Sequence, residues 1–136
     1  SGLPRMPNNL APADPANPYA DYTQQRLYAC LESLKLERPP GKKYDYSNLA
    51  VGLLGHLLEL HSGQSYEELL QARICGPLGM RDTRSRWPAD ELGDRLAQGY
   101  DPEGNAAPHW DFDVLAPAGG IRSTADDLAI FLTAVL

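Results

Sequence analysis

Cysteine, positive charge and long apolar runs are all scarce in this chain. Its only two cysteines, Cys30 and Cys75, lie far apart and belong to no Cys-x-x-Cys pair, which disfavours a metal site and a disulfide scaffold. They read as two separate buried thiols, with a single bridge left open for an oxidising compartment. Twelve Lys plus Arg against 18 Asp plus Glu leave a net charge of −6, so the basic face required by a nucleic-acid or anionic-membrane binder is missing. No apolar run approaches the roughly 20 residues of a membrane span, because the Leu-rich stretch from Leu49 to Leu60 is interrupted by Gly52, Gly55, His56 and Glu59. Gly119-Gly120 lacks the further glycines and the lysine of a phosphate loop, and His56 and His61 do not make a His-Glu-x-x-His pair. No metal and no cofactor is therefore expected. Ser1 stands where an initiator Met would, without the basic-then-apolar character of a secretion signal, which suggests a processed or truncated chain.

A chain of 136 residues is long enough to bury about two-thirds of the surface its unfolded form exposes. Residues 1–136 read as a single unit. Residues 1–20 form a loop, because Pro4, Pro7, Pro12, Pro15 and Pro18 with Asn8, Asn9 and Asn17 block helix and strand alike. Residues 21–80 form a helical region. The first helix is expected near Asp21, where Asp21 and Gln24 have capping spacing, with Leu27, Cys30, Leu31 and Leu34 on one face, and it stops before Pro39-Pro40-Gly41. A second starts at Ser47 or Asn48, runs to about His61 and ends at Gly63; being apolar nearly all round, it is expected to be central. Ser65 and Glu68 form a capping box for a third, which should end at Gly76-Pro77 before a tight turn through Met80.

Residues 81–122 are loop-rich, since Pro88, Gly93, Gly99, Pro102, Gly104 and Pro108 recur too closely for long elements. Short strands are expected around Leu96 to Tyr100 and after Asn105, with Asp101 to Gly104 as the turn. Residues 123–136 hold the last helix, capped by Thr124 and Asp127 and lined by Leu128, Phe131, Leu132 and Val135. The fold class is α+β, predominantly α-helical.

The chemistry-bearing residues are Tyr46 and Asn48, in the tripeptide Tyr46-Ser47-Asn48 at a helix entrance. By themselves they are a half-buried aromatic and an N-cap. Their surroundings add more. Pro40-Gly41, Tyr46-Ser47-Asn48, the Gly52-to-Gly55 helix, Gly63-Gln64-Ser65-Tyr66, Pro77 to Thr83 and Gly119 to Leu128 follow in an order that resembles class C β-lactamase-like serine hydrolases. That group includes β-lactamases, D-alanyl-D-alanine carboxypeptidases and esterases. Ser1-Gly2-Leu3-Pro4 also resembles the segment after the family's Leu-x-x-His-Thr motif, which leaves only residues 5 to 35 undistinctive.

The resemblance implies the helical middle portion of a β-lactamase/transpeptidase-like fold with a short β-hairpin. It assigns Tyr46 as the base or proton relay that activates a serine nucleophile, because a phenolate stabilised by ammonium groups can take the serine's proton. It assigns Asn48 to the substrate's amide, since a carboxamide donates and accepts at once. Tyr44 competes by position, but Tyr46 rather than Asn follows it two residues on.

Two family motifs are absent. No Ser-x-x-Lys occurs; Ser33-Leu34-Lys35 has the wrong spacing. No Lys-Thr-Gly or His-x-Gly strand motif follows the last helix, and His61-Ser62-Gly63 reads as a helix stop. The implied function is thus the central part of a serine hydrolase acting on β-lactams, D-amino peptides or esters through an acyl-enzyme, with Tyr46 and Asn48 but no nucleophile. The alternative is a non-catalytic peptide- or partner-binding module on the same fold. The implied partner is a small-molecule or peptide substrate, with self-association of the chain left open and a periplasmic or secreted setting suggested by the family's frequent export. His109, Asp111 and Asp113, interleaved with Trp110 and Phe112, read as a solvated loop that could line a cleft.

Overall fold

The computed structural model describes residues 1–88, 91 and 95–136, so Gly93 lies outside the described residues. Residues 1–20 carry no helix or strand, as their prolines dictate, but they are pinned rather than frayed. Asn9 is the pin: its Oδ1 accepts from Tyr22 Oη at 2.8 Å and its Nδ2 donates to Arg26 O at 2.8 Å. Arg26 Nη1 also donates to Ala11 O at 3.0 Å. Burial pushes the Tyr22 phenol well above its ordinary pKa, which keeps this hydroxyl a donor.

The first helix, α1 (Gln24–Ser33), starts later than its sequence suggests. Thr23, not Asp21, is the cap, accepting from Arg26 N at 3.5 Å. Asp21 is drawn away because its carboxylate accepts from Ala13 N at 3.1 Å and faces Arg26 Nη1 at 3.3 Å. Leu27 and Cys30 are completely buried on the expected face. They meet Tyr22, Leu49, Val114 and Leu115 to form the main core, flanked by Leu3, Leu10, Tyr19 and Phe112.

Helix α2 (Asn48–Ser62) is capped by the Ser47 hydroxyl, which accepts from Ala50 N at 2.9 Å, and Gly63 closes it in the left-handed region at φ +70°. Its glycines set how it packs. A Cβ on Gly52 would lie 2.6 Å from Leu115 Cδ2, and one on Gly55 would lie 2.0 Å from Pro117 Cγ. The pair lets the segment 114–117 press onto the helix backbone. The opposite face does not occupy the central position that its composition suggests: Val51, Leu54, Leu57, Leu58 and Leu60 are about half exposed.

Helix α3 (Tyr66–Leu70) has the expected reciprocal cap, with Glu68 N donating to Ser65 Oγ at 3.3 Å and Ser65 N donating to Glu68 Oε2 at 2.7 Å. It does not stop at Gly76-Pro77. A π-helical turn (Gln71–Cys75) passes directly into α4 (Gly76–Leu78), which contains Pro77, and Gly79 at φ +75° ends the run. Leu70, Cys75 and Met80 make a second, smaller core, so the two cysteines sit free in separate clusters.

Strands β1 (Gly99–Tyr100) and β2 (Ala106–Ala107) pair antiparallel with Gly99 opposite Ala107 and Tyr100 opposite Ala106. The hairpin is shorter than the sequence suggests at its Leu96 end. Gln98 Nε2 donates across to Ala107 O at 2.9 Å, and Pro108 has no N–H to extend the ladder. Next come α5 (Ala116–Gly119) and α6 (Ala125–Val135). Thr124 caps α6 as expected, but the buried residue on it is Asp127, whose Oδ2 accepts from Asp82 N at 2.8 Å and Thr83 Oγ1 at 2.7 Å. Leu128, Phe131, Leu132 and Val135 remain exposed.

Two outcomes follow. Ala is normally about 1 kcal/mol better than Gly inside a helix, yet Gly55→Ala is expected to lower stability by about 1–2 kcal/mol in urea unfolding, because overpacking against Pro117 outweighs propensity. The Glu68 pKa is depressed, chiefly by the Ser65 backbone N–H and then by its hydroxyl. Its stabilising contribution is full above the ordinary carboxylate range and is lost as pH falls through the lowered value. Amide exchange at residues 65–68, corrected for intrinsic pH dependence, should therefore report less protection in acid, and Glu68→Gln should remove that pH dependence.

Candidate active site

The entrance to α2 is organised by a strap, residues 4–6, that contacts the tripeptide Tyr46-Ser47-Asn48 at each position. Ser47 Oγ donates to Pro4 O at 2.6 Å while accepting from Ala50 N, so one hydroxyl fixes both the strap and the helix start. Asn48 N donates to Arg5 O at 2.9 Å and Leu49 N to the same oxygen at 3.4 Å. The Asn48 carboxamide is not spent on capping, since Ser47 does that; its Nδ2 contacts Met6 Sδ at 3.2 Å. A thioether is a weak acceptor, which leaves most of the amide's capacity for another partner. The Arg5 guanidinium lies over the Tyr46 ring, 5.1 Å from its centroid.

Tyr46 is 55 % exposed and Tyr44 89 %. The two differ in surroundings: Tyr46 and Asn48 both line a cavity of about 380 Å³ whose other wall is His109, Trp110 and Phe112 with Gly119 and Arg122, whereas Tyr44 borders no described cavity. That second wall is a buttressed loop. Tyr19 stacks on Phe112, with ring centroids 5.0 Å apart and planes 11° apart, and meets Trp110 edge-on at 5.3 Å. Asn17 grips Asp111 twice, Nδ2 donating to Asp111 Oδ2 at 2.9 Å and Oδ1 accepting from Asp111 N at 2.7 Å. Arg122 Nη2 donates to Trp110 O at 2.7 Å, and Arg122 is itself held by a two-bond bridge to Arg84.

The structure thus brings Tyr46, Asn48, Trp110 and Phe112 to one cavity and leaves the other candidates elsewhere. His109 lines this cavity while Asp113 does not, and Asp111 is engaged by Asn17; among the described residues no group of three or more His, Cys, Asp or Glu is placed to hold a metal. His56 is buried and lines a separate cavity, its Nε2 2.7 Å from Tyr28 Oη and its Nδ1 3.4 Å from Glu59 Oε2. Ser62, within His61-Ser62-Gly63, turns its hydroxyl back to Leu58 O at 2.7 Å as the last residue of α2. Sequence reasoning missed Arg5, Met6, Asn17 and Tyr19. Their segment carried no motif, and only its aromatic and amide content hinted at a role.

A family model described as Beta-lactamase matches residues 1–136. The D-alanyl-D-alanine-carboxypeptidase/endopeptidase AmpH of Escherichia coli (strain K12) is 34 % identical over 106 residues, covering 78 % of this chain and 26 % of that protein. The beta-lactamase-like protein 2 of Dictyostelium discoideum is 31 % identical over 139 residues, covering 97 % of this chain and 24 % of its own length. Among solved structures, the beta-lactamase/D-alanine carboxypeptidase from Yersinia pestis complexed with citrate superposes with a TM-score of 0.75 and 32 % identity over 100 % of this chain and 37 % of that one. The chain therefore spans about a quarter to just over a third of these relatives, and corresponds to the helical portion of their fold.

The aromatic wall should depend on Asn17. Asn17→Ala removes two hydrogen bonds, a loss of about 1–2 kcal/mol at an exposed site, and the Tyr19–Trp110 ring contacts seen by nuclear Overhauser effects should weaken while α1 and α2 stay folded.

Proposed function

The chain belongs to the beta-lactamase family, and from that premise we propose that it is the central, mostly helical part of a serine hydrolase acting on β-lactams, D-amino peptides or esters through an acyl-enzyme. In this reading it contributes the general base Tyr46 and the substrate-facing amide of Asn48, but not the nucleophile. The observation that carries the reading is the shared cavity: Tyr46 and Asn48 open onto one space, with the Asn48 carboxamide left largely uncommitted by the Ser47 cap.

The chemistry is a division of labour. An external serine hydroxyl would approach the Tyr46 oxygen, which accepts its proton as the hydroxyl adds to the acyl carbon and returns it to the departing group. Asn48 would hold the acyl side chain's amide by donating and accepting, fixing the carbonyl relative to Tyr46. Trp110 and Phe112 would cover the acyl group's apolar part and exclude water from it, their planes fixed by Tyr19. Substrate choice within the three classes then falls to this wall and to groups that the 136 residues do not contain.

Because no Ser-x-x-Lys occurs in the chain, it should not turn over substrate. Nitrocefin and p-nitrophenyl acetate are expected to hydrolyse at the buffer rate in its presence. Turnover above that rate, abolished by Tyr46→Phe, would show that the site is complete without an added nucleophile and overturn the reading.

A further inference from the structure

The chain has two methionines, and they differ sharply in access. Met80 is only 5 % exposed and packs with Leu70 and Cys75 in the smaller core. Met6 is less buried and lines the cavity at Tyr46 and Asn48, where its sulfur accepts from Asn48 Nδ2 at 3.2 Å. The backbone on either side of Met6 is held. Arg5 O takes the amides of Asn48 and Leu49, while the buried Pro7 restricts the residue before it. A thioether in a cavity wall is thus fixed against the carboxamide that the Ser47 cap leaves uncommitted.

Of the contacts around Asn48, this one can be changed by a small oxidant. A thioether is a weak acceptor, whereas a sulfoxide presents a polar oxygen, and methionine passes reversibly between the two. Hydrogen peroxide balances the step: its O–O bond breaks, one oxygen bonds to sulfur as the sulfur gives up two electrons, and the other leaves as water with both protons. The chain's remaining sulfur atoms are sheltered. Cys30 and Cys75 are fully buried, and burial pushes the Cys75 thiol up, which suppresses the thiolate that peroxide attacks.

We propose that Met6 is a modification site for peroxide, and that its sulfoxide binds the Asn48 carboxamide and withdraws it from the cavity. The sulfur lone pair turned away from Asn48 is the one open to the oxidant, so one sulfoxide epimer forms in excess. Rotation about the Cγ–Sδ bond then brings the new oxygen to Nδ2. The cavity loses its free amide and takes a neutral amide ligand less well. That last consequence rests on Asn48 being the substrate-facing amide, whereas the oxidation and the new hydrogen bond do not.

The test exposes the 136-residue chain to dilute hydrogen peroxide. Peptide mass analysis is expected to find oxygen added to Met6 about tenfold faster than to Met80, and one of the two epimer-specific methionine sulfoxide reductases should remove most of it. The side-chain NH2 resonances of Asn48 should shift on oxidation and return after reduction, and in Met6→Leu they should not respond to peroxide. Benzamide, a neutral amide followed through the Trp110 side chain, should bind about fivefold more weakly to the oxidised chain. The proposal fails if Met6 and Met80 oxidise equally, if the Asn48 resonances stay put or respond alike in Met6→Leu, or if benzamide binds both forms with one affinity. If benzamide binds neither form, the substrate-facing reading of Asn48 falls, and the Asn48 resonances still decide the sulfoxide contact.

Discussion

The Ser47 hydroxyl is the hinge on which the candidate site turns. It accepts Ala50 N and donates to Pro4 O, so the start of α2 and the path of the strap are set by one group. Backbone bonds from Asn48 and Leu49 to Arg5 O complete the junction. With the cap supplied by Ser47, the neighbouring Asn48 is spared the commonest task of an Asn at a helix start and can present its amide to the cavity. A tripeptide that alternates an exposed phenol, a buried cap and a cavity-facing amide is thus a consequence of where the helix begins.

The other end of that arrangement is fixed by absence of side chains. Gly52 and Gly55 let Leu115 and Pro117 lie against the α2 backbone, and this contact carries the chain from Val114 into α5. Phe112 and Trp110 precede it by a few residues, so the aromatic wall is positioned relative to Tyr46 through the same helix that carries Asn48. Side-chain volume at 52 or 55 would push the two walls apart, which links a packing rule to the width of a cleft.

Much of this was legible from the residues because the signals were local. The Ser65–Glu68 box, the Thr124 cap, the Gly63 stop and the turn at Asp101 to Gly104 each depend on side chains within a few positions, and each forms. The misses came from competing partners and backbone forms that a capping or breaker pattern does not reveal. Asp21 failed as a cap because Ala13 and Arg26 claimed its carboxylate. Gly76-Pro77 did not end a helix because the run continues through a π-turn into α4, and Gly79 in the left-handed region is the stop. Arg5, Asn17 and Tyr19 were invisible because a Pro-rich segment has no periodicity to reveal which side chains it folds inward.

The exposed apolar faces of α2 and α6 follow a different logic from the site. Val51, Leu54, Leu57 and Leu58 on one helix and Leu128, Leu132 and Val135 on the other are too apolar for surface positions, and their pattern is that of faces meant to be covered. None of them lines the cavity at Tyr46 or contributes to the strap. Each bond that orients Tyr46 and Asn48 instead comes from the strap and the first turn of α2, and the aromatic wall is held by Asn17, Tyr19 and Arg122. Covering those faces would therefore add stability to the helices, while the geometry around Tyr46 and Asn48 is set by contacts elsewhere in the chain.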